Sequence, residues 1–360
     1  MADGNYQGAR ESLDRALAIA RREINIDLEM RSFNSLSQVE LWHLHLEDSL
    51  KSSLMAIDLA VAASDIRTEV ASRYWAGLAS SALGDSEESS RQALAILEPA
   101  QRLQDRYWLA SAHQILAGLH TRHGEWQTAR EAIQRGLDLL PLDPRLLSLR
   151  ITLEANVGDK EQVDFYLERL EGVVRQSDRR PNTTHSSLAM ISPMIRSILD
   201  PVKHPIAGED SIKVVLSSPF ATPYFSAWAR IGAALTAVIE ADPIAAGEQY
   251  PPLKESAGTY IFVASVDRML GLLADTMGNP EDAGAHFEDA LNFCRRSDYR
   301  PELAWTYFDY ANALLRRKRE SDSTKTLTLL NDCLSISTEL GMKPLMERCQ
   351  QRLEQLKADW

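Results

Sequence analysis

One short phrase recurs along this chain, and it constrains the fold more than any other feature. A helix-like stretch ends in glycine, an acidic or amide residue follows, and a second helix-like stretch then carries small or apolar residues at fixed offsets. Around Gly124 it runs Gly124-Glu125-Trp126-Gln127-Thr128-Ala129, with Ile133, Gly136 and Pro141 behind. Gly84-Asp85 leads to Ser89 and Ala93, and Gly158-Asp159 to Val163, Leu167 and Leu170. Gly278-Asn279-Pro280 leads to Ala283, Phe287 and Ala290, and Gly4-Asn5-Tyr6 to Leu13 and Ala16. Gly124 and Gly158 are 34 residues apart; Gly84 and Gly124 are 40 apart, and the excess is assigned to the loop near 103–106. A helical hairpin of this size cannot bury its apolar face alone, so repeated copies must stack on one another.

Positions upstream of each glycine agree. Leu116, Ala117 and His120 are large, small and large, as are Tyr310, Ala311 and Leu314; Leu270, Gly271 and Ala274 stand at the same positions. The small residue lets two helices approach closely and its large neighbours fill the space between them. The glycine ends the first helix in a left-handed turn, and Pro280-Glu281-Asp282 shows how the next helix begins. The pattern resembles the tetratricopeptide repeat, a helix–turn–helix unit of about 34 residues. That resemblance implies an all-α, right-handed α-solenoid.

Two stretches break the rhythm. Residues 177–222 hold Pro181, Pro193, Pro201, Pro205 and Pro219, with Pro223 just beyond, and the polar run Arg179-Arg180-Pro181-Asn182-Thr183-Thr184. Proline at that density interrupts helices, so this segment reads as an irregular connector around one short helix near 186–199. The chain then divides into an amino-terminal repeat array over 1–176, the connector over 177–222, and a carboxyl-terminal array over 223–360 closed by a polar capping helix from Pro344. That last helix carries Glu347, Arg348, Arg352, Glu354 and Lys357. The segment 241–258, with Pro251-Pro252, reads as a degenerate repeat that diverged without purpose. Because Gly4-Asn5-Tyr6 is already a turn, the chain reads as opening in mid-repeat, behind a degenerate cap or a longer polypeptide.

From Gly271 onward the chain is also similar to the carboxyl-terminal repeat regions of large bacterial signalling ATPases, namely adenylate/guanylate cyclase fusions and LuxR-type transcriptional regulators. The resemblance implies a sensing or partner-binding arm, with chemistry and DNA binding elsewhere, in an effector domain on the amino-terminal side. No phosphate-binding loop is present; Gly158-Asp159-Lys160 is a repeat turn.

Composition narrows the job. The 51 Asp and Glu against 39 Lys and Arg give a net charge of −12, which repels phosphate backbones, so nucleic acid is not an expected partner. Cys294, Cys333 and Cys349 are too few and oddly placed for a disulfide framework or a zinc site, which suits a reducing compartment. No run reaches the length of a membrane helix. The chain reads as a soluble, cytoplasmic protein without a membrane partner.

No constellation for catalysis stands out. His113, His120 and His123, with Glu125, are the most metal-like group, but His113 and His120 fall at packing positions, so no metal and no cofactor is expected. The cysteines fall where small core side chains belong. Arg316-Arg317-Lys318-Arg319 closes a helix, where cations suit the dipole, and reads as a solvated face. No strand is expected to support a nucleophile turn.

Binding is expected on the concave surface lined by first helices. Counting back from the turn glycines gives Gln114 and Arg122 with Ser111 and Thr121, then Arg145 and Asn156 with Ser148 and Thr152. In the second array it gives Arg268 with Leu272, and then Trp305, Phe308, Asn312 and Arg316, a set of the types that anchor interfaces. Tyr74 and Leu78 are a weaker counterpart. The expected function is a non-enzymatic scaffold whose groove holds a protein or peptide segment. The alternative is a small effector bound in the groove or at the proline-rich junction. A peptide needs a long polar-aromatic groove; an effector needs a closed apolar chamber with few polar groups.

Overall fold

The computed structural model describes residues 6–177, 182–199, 208–317 and 319–358. The chain is an all-α helical-repeat solenoid. Its first half comprises α1 (Tyr6–Arg22), α2 (Ile26–Trp42), α3 (Leu46–Ala63), α4 (Ile66–Leu83), α5 (Ser86–Ala95), α6 (Leu97–Leu103), α7 (Arg106–His123), α8 (Trp126–Leu139), α9 (Pro144–Val157) and α10 (Lys160–Gln176). Then come α11 (Thr183–Ile198), α12 (Glu209–Leu216), α13 (Pro223–Ile239) and α14 (Pro243–Lys254). A short hairpin, β1 (Tyr260–Ile261) and β2 (Ala264–Ser265), precedes α15 (Val266–Thr276), α16 (Pro280–Ser297), α17 (Arg300–Arg317), α18 (Ser323–Leu340) and α19 (Lys343–Ala358).

The glycine turns are as read. Gly84, Gly124, Gly158 and Gly278 take φ between +75° and +88°, and Gly341 is a further member at +68°. Gly4 and Asn5 lie outside the described residues. The same left-handed step also occurs without glycine, at Ile24, Ser64, Gln104 and Ala241. In each of those turns an Asn or Asp follows and caps the next helix: Asn25 accepts from the Leu28 N–H, Asp65 from Thr68, Asp105 from Tyr107 and Asp242 from Ile244. The wider spacing between Gly84 and Gly124 has a different origin from the one expected: α7 has 18 residues where α9 has 14, and α5 with α6 outruns α8.

Helices α2, α4, α7, α9, α11, α13, α15 and α17 pack successively into an inner layer, and the intervening helices form the outer one. The proline-rich stretch takes part in this order. Helix α11 includes Pro193 and packs between α9 and α13, with α12 beside it, so the segment read as irregular supplies a helix pair. The approach is close: a Cβ on Gly232 of α13 would lie 1.9 Å from the Ala189 carbonyl oxygen of α11. Pro181, Pro201, Pro205 and the Arg179-Arg180 pair lie outside the described residues. So do Lys318 and, for its side chain, Lys357.

The superhelix closes on itself. The ends of α16 and α18 and the start of α19 rest on the glycine turns of α4, α7 and α9. Carbonyls at helix ends and turns are the joints. The Tyr299 hydroxyl donates to the Ser81 carbonyl at 2.7 Å, Ser297 Oγ to Gly84 O at 2.8 Å, and Trp126 Nε1 to Leu340 O at 2.6 Å. Arg348 Nη1 donates to Ser197 O at 2.7 Å. One apolar core runs continuously from Leu41 to Cys349. Among the described residues no helix is long and apolar enough to cross a membrane.

Candidate functional site: an aromatic chamber inside the superhelix

The inner face is not an open groove. Of the ten residues read as its lining, Tyr74, Gln114, Arg122, Asn156, Arg268, Trp305, Phe308 and Asn312 are buried and Arg145 nearly so. Trp305 donates its indole N–H to Asn156 Oδ1 at 2.8 Å, a bond between α17 and α9. Phe308 meets Trp305 edge-on, and Asn312 donates to the Phe308 carbonyl of its own helix. Arg268 is enclosed by Glu302 and Asp309, both at 2.8 Å. Arg316 alone in the set is exposed, at 57% for its side chain, and it pairs with Asp275. In the basic run, Arg317 and Arg319 both reach Glu281.

What remains inside is a chamber of about 640 Å³. Leu41 and Trp42 of α2, Tyr74, Trp75 and Leu78 of α4, and Tyr107 and Gln114 of α7 form one side. Tyr224, Phe225 and Trp228 of α13, with Phe262 from the tip of the β-hairpin, form the other. The loop 140–143 and Arg145 make the rim. The rings form a connected surface: Trp42 meets Trp75 edge-on at 6.5 Å and Phe225 at 6.3 Å, while Trp228 stacks on Phe262 at 4.1 Å with 21° between the planes. The hairpin was unexpected from sequence. It falls just after the stretch read as degenerate, and Phe262, at φ +57°, turns it into the chamber.

Sequence reasoning found Tyr74, Leu78, Gln114 and Arg145 but missed Trp42, Trp75, Tyr107, Phe262 and the α13 aromatics. One signal was present: Tyr224 and Trp228 are four apart, hence on one helical face.

Polar groups on the wall are few. Arg145 is fully engaged: Nη1 donates to the Tyr74 hydroxyl at 2.8 Å, Nε and Nη2 to Asp143 at 3.0 and 2.5 Å, and the guanidinium lies over the Tyr74 and Tyr107 rings. Burial pushes the Tyr74 phenol up to about 12, so it stays neutral near neutral pH. Two smaller cavities adjoin. One of about 20 Å³ shares Leu78, Gln114, Tyr224 and Phe262 with the chamber, and one of about 40 Å³ shares Arg122 and Tyr260 with that neck.

The histidines go separate ways. His120 faces Glu125 at 2.5 Å, His123 faces Asp298 at 3.2 Å, and His113 is buried, with its pKa lowered first by burial and then by Arg135. Among the described residues one group has ligand atoms close enough for a cation, Asp267, His286 and Asp289, all within 4.8 Å of one another. Cys333 and Cys349 bring their sulfurs to 2.8 Å between α18 and α19 as free thiols.

No protein-family model matches the chain, and no curated protein is similar to it. Among solved structures, the chain is similar to a circular tandem repeat protein with novel repeat topology and enhanced subunit contact surfaces. The identity is 14% over 98% of this chain and 88% of that one, with a TM-score of 0.23.

Proposed function

We propose that this protein is a non-enzymatic, effector-binding helical-repeat module whose ligand is a small molecule held in the aromatic chamber. The observation that carries this reading is the chamber itself. A volume of about 640 Å³ is within the range that encloses a compact organic ligand, and its wall is rings and aliphatic side chains with few polar groups. A peptide groove of the expected kind is disfavoured, because Trp305, Asn156 and Arg268 spend their contacts on other helices of the same chain. A ligand in the chamber touches α2, α4 and α7 on one side and α13 and the hairpin on the other. It therefore favours the closed superhelix by mass action. An arm that tightens on a ligand suits the sensing role implied by the likeness to the repeat regions of signalling ATPases. Such a role leaves the convex helices free to engage a protein partner.

The test uses the neutral fluorescent probe N-phenylnaphthylamine. Saturable fluorescence enhancement is expected, with quenching of the chamber tryptophans. Leu78→Trp, which fills the chamber from α4, should weaken the probe at least about tenfold while far-UV helicity is kept. Probe binding that does not saturate, or that ignores Leu78→Trp, would overturn the reading.

A further inference from the structure

Unsatisfied polar groups near the chamber are the Trp228 indole N–H on its wall and two side chains along one face of α7. Gln114 is only 4% exposed and lines both the chamber and the neck, yet its Oε1 is fully enclosed and accepts no hydrogen bond. Two turns further along, Arg122 is 8% exposed. Its Nη2 reaches Ser89 Oγ at 3.3 Å and its guanidinium lies 5.4 Å from the Tyr299 ring centre, but its Nε donates to nothing. Among the described residues no carboxylate lies within ion-pair distance of it. Arg145 has Asp143, Arg268 has Glu302 and Asp309, and Arg130 and Arg150 share Glu154; Arg196 of α11, whose Nε and Nη1 also donate to nothing, lines none of these cavities.

A buried cation without a counter-charge is costly, and folds ordinarily supply one. Gly118 shows where this one is directed. A Cβ there would lie 3.0 Å from Arg122 Nη1, so the side chain folds back along α7, toward Gln114 and the neck. Arg122 lines the neck as well as the smaller cavity beyond it.

We propose that the ligand is an aromatic carboxylate: its flat ring system lies among the chamber aromatics, and its carboxylate enters the neck to pair with Arg122. This inference rests on the chamber being the binding site. The stacked Trp228–Phe262 pair offers a planar wall, and the guanidinium supplies the charge-assisted donors a carboxylate requires. Sugars and nucleotides do not fit, since they would leave most of their polar atoms against rings. Arg145 is a poor rival for the anion because Asp143 already occupies its fork.

The probes are naphthaleneacetate and its methyl ester, measured by calorimetry on the full chain. The acid should bind at least about tenfold tighter than the ester, and Arg122→Met should erase that preference while the ester still binds. In the empty protein Arg122→Met should raise the melting temperature, because an unpaired buried charge is removed. Gly118→Ala should weaken the acid and spare the ester by displacing the guanidinium. Failure of both probes to bind would remove the chamber as the site. Equal binding of acid and ester would overturn the carboxylate assignment and leave the chamber standing. An acid preference that survives Arg122→Met, or a lowered melting temperature in that variant, would overturn Arg122 as its partner.

Discussion

Asp267 holds its carboxyl group where the fold gives it almost no water. It is 2% exposed, one oxygen accepts the Gly258 N–H at 2.8 Å, and Asp289 is nearby. Burial, with a smaller contribution from Asp289, pushes its pKa up to about 6. The folded value lies above the unfolded one, so between about pH 4 and 6 the native state binds more protons than the unfolded chain. Its contribution is therefore most favourable below that window and is lost as pH rises through it. Asp267→Asn keeps an acceptor for Gly258 and removes the charge. Thermal melts from about pH 4 to 7.5 should show a flatter profile and a higher melting temperature near neutrality; an unchanged slope would show that Asp267 does not titrate in this range. Residue-scale legibility was uneven in the same way. Glycine turns could be read because φ near +75° favours glycine, but Ile24, Ser64, Gln104 and Ala241 take the same step with no chemical flag. The Asn or Asp cap that follows each of them was the visible sign.

Elements are joined by polar clusters that periodicity does not reveal. Arg268 of α15 is held by Glu302 and Asp309 of α17, and Glu302 also accepts the Ser265 N–H at the end of the hairpin. This cluster ties two inner helices to the strand pair that carries Phe262. Arg268→Met should cost about 3–5 kcal/mol in urea unfolding, because it strands two buried carboxylates. Adding Glu302→Gln and Asp309→Asn should recover most of the loss. A small loss in the single variant would mean the carboxylates reach water once Arg268 is gone. The helix pairs were legible because the turn glycines and the small residues around them recur at the spacing of one helical hairpin. The hairpin was not: Tyr260-Ile261-Phe262-Val263-Ala264 is too short an apolar run for its period to be read. The helix near 186–199 was foreseen and is α11, but its place between α9 and α13 was not, since proline count says where a helix is strained but not what packs against it.

At the scale of the whole molecule, closure decides what the inner face can do, and it was the least legible feature. Trp305, Asn156 and Arg122 are residue types that serve equally well against a partner or against the next level of the same superhelix. Only the chain's own curvature selects between those uses, and curvature accumulates from small rotations at every repeat. Two glycines separate the turn from the closure. Gly124 and Gly278 have nearly the same backbone, φ +78° and +77°, but a Cβ on Gly124 would lie 2.7 Å from Leu340 Cδ2, while one on Gly278 would meet nothing within 4 Å. Gly278→Val should therefore show only the left-handed strain, about 1–2 kcal/mol. Gly124→Val should lose more, about 3 kcal/mol or above, because α18 must also lift from the α7 turn and surrender the Trp126–Leu340 bond. Small-angle scattering should show an expanded molecule for Gly124→Val alone, with weaker binding of the naphthylamine probe. If both variants lose the same stability and neither expands, the contact between superhelical levels adds nothing in solution. The inner face would then be open to a peptide after all.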